Sequence, residues 1–553
     1  MSEPTQGTMN RDPSPNADVC VVGSGVAGAL VAYSLASRGH EVVVLEAGRR
    51  FDLENRRELL EKALRPSFSS RDVWEMGGER DRYTSSGDVF YGLNNTRVKG
   101  VGGTTLKWLA IVPRYHEKDF EMNSRYGLAS DWPLSYDDIR PYYATAEREL
   151  GVAGGTDNPF APPRETEYPM PAFPPSYSDS IFAEACDELG ITMHSVPQAR
   201  NSEAYDGRSP CLGFSTCIPV CPSGAKYSAD IHVRKAEEQG VRIIDRAPVQ
   251  RLEHDSEGDT VEAAVYATPD GTRHRQTADT FVLACGAVEI PRLLLLSESE
   301  TYPDGLANSS GLVGKYFMDH PIVSIVGELD EPTNQEPIGY HTSETHQFYD
   351  HEDQSPGSIK MVFNNENPLT LAQVAMRGGD NSTREDLTDV LTGDSWGDEV
   401  LESMRRQFPN RRIGMFGNPE LLPDEENDVT LDSSKTDDYG NPVPDVSYNI
   451  GSHARETMQY IREIQREIME ELGATILNES NLSEPRVGSH QMGTTRMGTD
   501  PASSVVNPQL QTHDLENLYI ASSSVFVTGG AINPTLTIAA LALKAAESIH
   551  ENR

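Results

Sequence analysis

The chain has 553 residues and carries 85 Asp and Glu against 47 Lys and Arg, a formal net charge of −38. Such acidity argues against nucleic acid or an anionic membrane as partner. The length exceeds what one hydrophobic core supports, so two domains are expected.

The acids are spread along the chain and arginine outnumbers lysine, a halophilic pattern in which salt screens the self-repulsion. No apolar run is long enough to span a bilayer. Residues 1–17 are polar, with several prolines and no apolar core of a secretory signal. They are expected to be a disordered tail. A cytoplasmic location follows as the default, unless the chain is exported with a partner subunit.

The first strong pattern is Asp18-Val-Cys-Val-Val-Gly-Ser-Gly-Val-Ala-Gly28, then a helical stretch, then Glu41-Val-Val-Val-Leu-Glu46. The apolar run suits a buried parallel strand. Gly23 allows the tight turn, Gly25 lets a pyrophosphate approach the backbone, and Gly28 lets the helix pack on the strand. The helix N-terminus then faces the phosphate charge. Glu46 stands where an acid binds a ribose hydroxyl. This βαβ unit reads as a holder of an adenine dinucleotide.

Next comes Lys99-Gly-Val-Gly-Gly-Thr-Thr-Leu-Lys-Trp108. Residues 131–150 read as a helix, 153–175 as a proline-rich linker and 178–189 as another helix. Residues 209–226 form a cysteine-bearing loop. Strands are expected at 241–245, 249–252 and 280–286, followed by an apolar helix at 290–296. Between 325 and 483 strand-like alternation, many acids and an amphipathic helix at 453–472 indicate a second domain on an antiparallel sheet. The remainder, 484–553, regains small residues and ends in an apolar helix at 534–549. It is expected to rejoin 18–324. The fold class is α/β: a Rossmann-like dinucleotide domain plus a substrate domain of antiparallel sheet and helices.

Six cysteines are present. Cys20 and Cys285, in expected strands, and Cys186, on a helix, read as core residues. The other three cluster as Cys211-X5-Cys217-X3-Cys221-Pro222, a spacing that suggests soft-metal ligation. A fourth ligand for zinc is not evident nearby, whereas a three-iron cluster needs only three thiolates. A disulfide plus a free thiol, or inert loop cysteines, are the competing readings. Asn533 before Pro534 and an apolar helix reads as N-cap and first helical residue. His490 alone would read as a buried histidine holding a turn.

The ordered set of motifs resembles the glucose–methanol–choline oxidoreductases, which are FAD enzymes. It comprises the glycine fingerprint with Glu46, Gly102-Gly-Thr-Thr105, Ala284-Cys-Gly-Ala-Val-Glu-Ile-Pro-Arg-Leu-Leu294 and Gly311-Leu-Val-Gly-Lys-Tyr-Phe-Met-Asp-His-Pro321. His490-Gln-Met-Gly-Thr-Thr-Arg-Met-Gly498 and Asn533-Pro534 complete it. The resemblance implies FAD contacts at Gly23, Gly25, Gly28, Glu46, Gly102, Gly103, Thr104, Val249, Ser522 and Pro534. It implies His490 as the base that takes a hydroxyl proton while a hydride passes to flavin N5, and Asn533 as the partner of the substrate oxygen. Some relatives attach the flavin covalently through a histidine where Lys107 stands, so non-covalent FAD is expected here. Many have aspartate at Ser522.

The cysteine loop is similar to that of bacterial FAD-dependent glucose and gluconate dehydrogenase-like catalytic subunits. There a [3Fe-4S] cluster relays electrons from the flavin to a cytochrome partner. Those loops carry an extra cysteine where Leu212 stands.

The implied activity is oxidation of a CH–OH group of a sugar, sugar acid, polyol or other alcohol. Its electrons would go to a non-oxygen acceptor, through an acceptor protein or small partner subunit. An oxygen-using oxidase, a non-catalytic flavin-binding redox subunit and an NAD-dependent dehydrogenase are the rivals.

Overall fold

The computed structural model describes residues 10–15, 17–63, 70–214, 216–333, 341–365 and 411–552. The fingerprint forms β1 (Ala17–Val22), α1 (Val26–Ala36) and β2 (Val42–Leu45). Val19 to Val22 are buried, as a strand covered on both faces requires. β1 pairs in parallel with β2 on one side and with β3 (Arg273–Leu283) on the other. The strand Arg242–Ile244 extends the sheet beyond β2, and Leu518–Ile520 pairs in parallel with the end of β3. Val261–Ala267 and Val249–His254 continue the other edge in antiparallel fashion.

The second sheet contains β4 (Pro321–Glu328), β5 (Ser343–Thr345), β6 (Ile359–Asn364) and β7 (Arg412–Pro419). Its order is Thr475–Glu479, β4, β7, β6, β5 and His194–Ser195, all antiparallel. The helix Ser452–Glu471 lies on one face and buries Met458, Ile461, Ile464 and Ile468. The boundaries expected at 325 and 483 cut through this sheet. β4 begins at Pro321, Arg486–Val487 pairs with it, and His194–Ser195 supplies an edge from far upstream. The last helix, α2 (Thr535–Glu551), returns to pack on α1.

Two local expectations are corrected. Of the expected tail, residues 1–9 and 16 lie outside the described residues, but the rest is anchored. Arg11 Nη2 donates to Asp245 Oδ1 at 2.8 Å, the Ser14 amide donates to Gln276 Oε1 at 2.7 Å, and Ala17 opens β1. Cys285 is not in a strand. It precedes the helix Gly286–Leu296, because β3 ends at Leu283 and the chain turns there. Among the described residues no helix is long and apolar enough to cross a membrane.

Candidate active site

A cavity of about 960 Å³ runs from the fingerprint to the start of α2. Gly23, Gly25, Glu46, Gly103, Thr104, Val249, Ser522 and Pro534 line it, and so do His490 and Asn533. Gly28 and Gly102 do not. Gly28 has the packing role expected of it: a Cβ there would lie 2.0 Å from the Gly23 carbonyl oxygen. At Gly102 a Cβ would stand 3.2 Å from the Asp230 nitrogen, against the loop behind the wall.

At the fingerprint end the donor set fits a dinucleotide. Gly23 adopts φ +101°, and α1 begins after Gly25 with no side-chain cap, so its N-terminus opens onto the cavity. A Cβ on Gly103 would fall 2.9 Å from Gly25 Cα, so the two glycine loops can approach only without side chains. The buried Glu46 carboxylate accepts from the Ser24 amide at 3.0 Å, the Ser24 hydroxyl at 2.7 Å and the Gly48 amide at 2.8 Å. One acceptor position remains for a ligand hydroxyl. Burial pushes its pKa up, and these bonds only partly offset that. Ser522 caps the turn Ser523–Val525, its hydroxyl accepting from the Ser524 amide at 3.2 Å. Lys107 also lines the cavity. Its ammonium donates to the Asn95 carbonyl, and burial lowers its pKa to about 8.

At the other end the side chains form a directed chain of hydrogen bonds. His320 Nε2 lies 2.8 Å from the Gly530 carbonyl oxygen, which can only accept, so that nitrogen carries a proton. Burial lowers the His320 pKa to about 4, so the ring is neutral and its Nδ1 is an acceptor. His490 Nδ1 stands 2.9 Å from it and must donate. The His490 Nε2 lone pair is thereby left free, and it accepts from Asn533 Nδ2 at 2.8 Å. Asn533 Oδ1 in turn accepts from the Lys360 ammonium. Lys360 is buried and stands 3.9 Å from Glu344 Oε2.

Asp319 fixes the backbone beneath this pair. Its Oδ1 accepts from the His320 amide at 2.7 Å and the His490 amide at 2.8 Å, while Tyr91 donates to Oδ2 at 2.6 Å. Burial raises the Asp319 pKa to about 7 against those bonds. Burial, then the neighbouring His320 and Lys360, hold the His490 imidazole well below the usual histidine range, so it is neutral at neutral pH. The site therefore presents an unprotonated imidazole nitrogen beside an amide donor, an arrangement that takes a proton from a hydroxyl while holding its oxygen.

The cap reading of Asn533 is corrected. Pro534 occupies the cap position and no side chain caps α2, because the Asn533 amide is engaged by His490 and Lys360. Sequence reasoning gave no role to His320, Asp319 or Lys360. For the first two a signal existed, since they sit in the Asp-His-Pro run that it quoted. Lys360 on a buried strand carried none beyond being a charge among apolar neighbours.

Cys211, Cys217 and Cys221 lie away from this pair, although Ile218 between them reaches the cavity wall. All six cysteines are free. Arg200 Nη1 stands 3.8 Å from Cys211 Sγ and 4.0 Å from Cys217 Sγ. Burial raises the Cys217 thiol pKa. At Cys221 burial also pushes upward, but bonds from the Lys226 amide and Ser223 and the Lys226 charge outweigh it, and the pKa falls. Among the described residues the only three His, Cys, Asp or Glu donors within 4.8 Å of one another are His194, Glu344 and His346, so the three sulfurs are too spread for a single ion.

Comparison with known proteins gives the family and the fold. The family model described as GMC oxidoreductase matches in two parts, over residues 93–322 and 423–542, and one described as FAD dependent oxidoreductase matches 18–55. The fructose dehydrogenase large subunit of Gluconobacter japonicus is 34% identical over 97% of this chain and 98% of its own. The 2-methyl-1,2-propanediol dehydrogenase of Mycolicibacterium austroafricanum is 30% identical over 96% and 95%. A formate oxidase structure superposes with a TM-score of 0.68 over 98% of this chain and 99% of its own, at 16% identity, a likeness of fold.

Proposed function

The chain belongs to the GMC oxidoreductase family of FAD-dependent enzymes, and from that premise we propose that it is a dehydrogenase. It oxidises the CH–OH group of a sugar, sugar acid, polyol or other alcohol and passes the electrons to a non-oxygen acceptor. The directed hydrogen-bond chain that leaves His490 Nε2 unprotonated carries this reading. The substrate hydroxyl gives its proton to His490 Nε2, the carbinol C–H leaves as hydride, and a carbonyl forms. FAD, when bound, supplies the two-electron acceptor for that hydride. The Asn533 amide holds the substrate oxygen as charge develops on it, and Lys360 holds the amide. The start of α2 at the cavity wall favours negative charge there.

Anaerobic mixing with a panel of sugars and alcohols, followed by flavin absorbance, tests the reading. At least one member should bleach the flavin, and His490→Ala should slow bleaching by about two decades or more. A wild type bleached by none, or a variant of near-normal rate, defeats it. Comparing turnover with oxygen and with a dye acceptor separates a dehydrogenase from an oxidase. The FAD is held without a covalent bond, because Lys107 replaces the attaching histidine. Yellow cofactor pelleting with acid-precipitated protein contradicts that. The proposal extends to Cys211, Cys217 and Cys221 as ligands of a [3Fe-4S] cluster serving the acceptor side. Iron analysis and an EPR spectrum of anaerobically purified protein decide it, and absence of iron reduces the loop to a structural element.

A further inference from the structure

The wall opposite the dinucleotide fingerprint is one face of the antiparallel sheet. On β7, Gly417 turns away from the cavity, where a Cβ would meet Ile461 of the covering helix at 2.7 Å. Its neighbours Phe416 and Asn418 therefore point the other way, and both line the cavity beside Ile322 of β4. Lys360 on β6 is paired across the strands with Asn418, so it stands on the same face, and its ammonium reaches Asn533.

Asn418 is 1% exposed, yet among the described residues neither Oδ1 nor Nδ2 has a hydrogen-bond partner. An amide idle at both ends in a closed wall is destabilising relative to an apolar residue of the same size. No packing need explains it, since leucine fills similar space. Lys360 next to it is engaged on Asn533 and near Glu344, so it leaves Asn418 unserved. Asn418 lines the cavity, so a ligand lying there is placed to supply the missing partner. An amide offers one donor group and one acceptor, and a hydroxyl answers both. The reacting hydroxyl is already met by His490 and Asn533.

We propose that Asn418 binds a second hydroxyl of the substrate, so that the site selects polyhydroxylated carbon chains, polyols or sugars, over monohydric alcohols. This rests on the reading of His490 and Asn533 as the reacting centre. A monohydric alcohol would leave the amide unpaired in the complex, and sites built around such a polar group discriminate strongly against ligands that lack its partner.

The test uses FAD-loaded protein and anaerobic stopped-flow reduction by sorbitol, glycerol, glucose and fructose against 1-propanol and 1-hexanol. The wild type should reduce faster with a polyhydroxylated member than with either monohydric alcohol. In Asn418→Leu the ratio of the two rate constants should fall by about 10- to 100-fold. The Tm of that variant should rise, because an unsatisfied buried amide is gone. Asn418→Ala removes both groups without adding bulk, so its ratio should fall as well, which serves should the leucine variant not fold. A ratio unchanged in a folded variant overturns the proposal, as does a wild type that prefers the monohydric alcohols. Either result leaves the reaction itself standing. Bleaching by none of the six overturns the underlying reading and this inference together.

Discussion

The bond from His490 to His320 is the part of the reacting centre most open to a quantitative test. Replacing His320 with leucine removes the acceptor 2.9 Å from His490 Nδ1 and unpairs the Gly530 carbonyl. The proton on Nδ1 then has no buried partner, and the tautomer with Nε2 protonated, which cannot accept a proton from substrate, gains population. An unpaired buried donor costs about 1–3 kcal/mol. At about 1.36 kcal/mol per decade, the limiting rate of flavin reduction should drop by about 5- to 150-fold. His320 is fully buried and does not line the cavity, so the substrate concentration giving half-maximal rate should stay near the wild-type value. Anaerobic stopped-flow absorbance measures both quantities. His320→Gln, which keeps an acceptor for the same proton, should recover part of the rate. A leucine variant with a limiting rate within about twofold of wild type, or a loss confined to half-saturation, refutes the tautomer argument.

Asp319, raised to about 7 by burial, predicts a rise in the rate of flavin reduction as pH climbs through that value. Its charge then makes the nearby imidazole more basic, and the rise should vanish in Asp319→Asn. Its folded pKa lies above the unfolded value of about 3.9, so its contribution to stability is complete below that value and lost as pH rises through 7. The fall in Tm between about pH 4 and pH 7 should therefore be shallower in Asp319→Asn; an unaltered slope refutes the assignment. Lys360→Met should free the Asn533 amide to turn and lower kcat by about tenfold or more, the scale of one charged hydrogen bond. Full activity in the methionine variant would contradict the positioning role. With a net charge of −38, the protein should gain Tm between low and molar salt, and indifference to salt rules out self-repulsion as a significant load on the fold.

The first βαβ unit was legible because its signals are local: a buried run, glycines at fixed offsets and an acid at the end of the next strand. The helices 453–472 and 534–549 were legible from their apolar pattern, and the structure places them at Ser452–Glu471 and Thr535–Glu551. His490 and Asn533 became visible only through the ordered motifs. The groups that make them work were hidden, since His320 is 170 residues from His490 and Lys360 is 173 from Asn533. No periodicity reports a contact across such a span. Asn533 shows the same limit from the other side. A sound local rule assigned its amide to a helix end, and a long-range partner claimed it instead. Gly28 was legible in its packing role, since the helix-on-strand contact expected of it is the one a Cβ would break.

The link from Lys360 to Asn533 joins the antiparallel sheet to the start of the last helix. The two halves of the reacting centre thus interlock only when both sheets have docked. Without the ammonium from the antiparallel sheet, the amide would turn freely and the imidazole would lack an oriented companion.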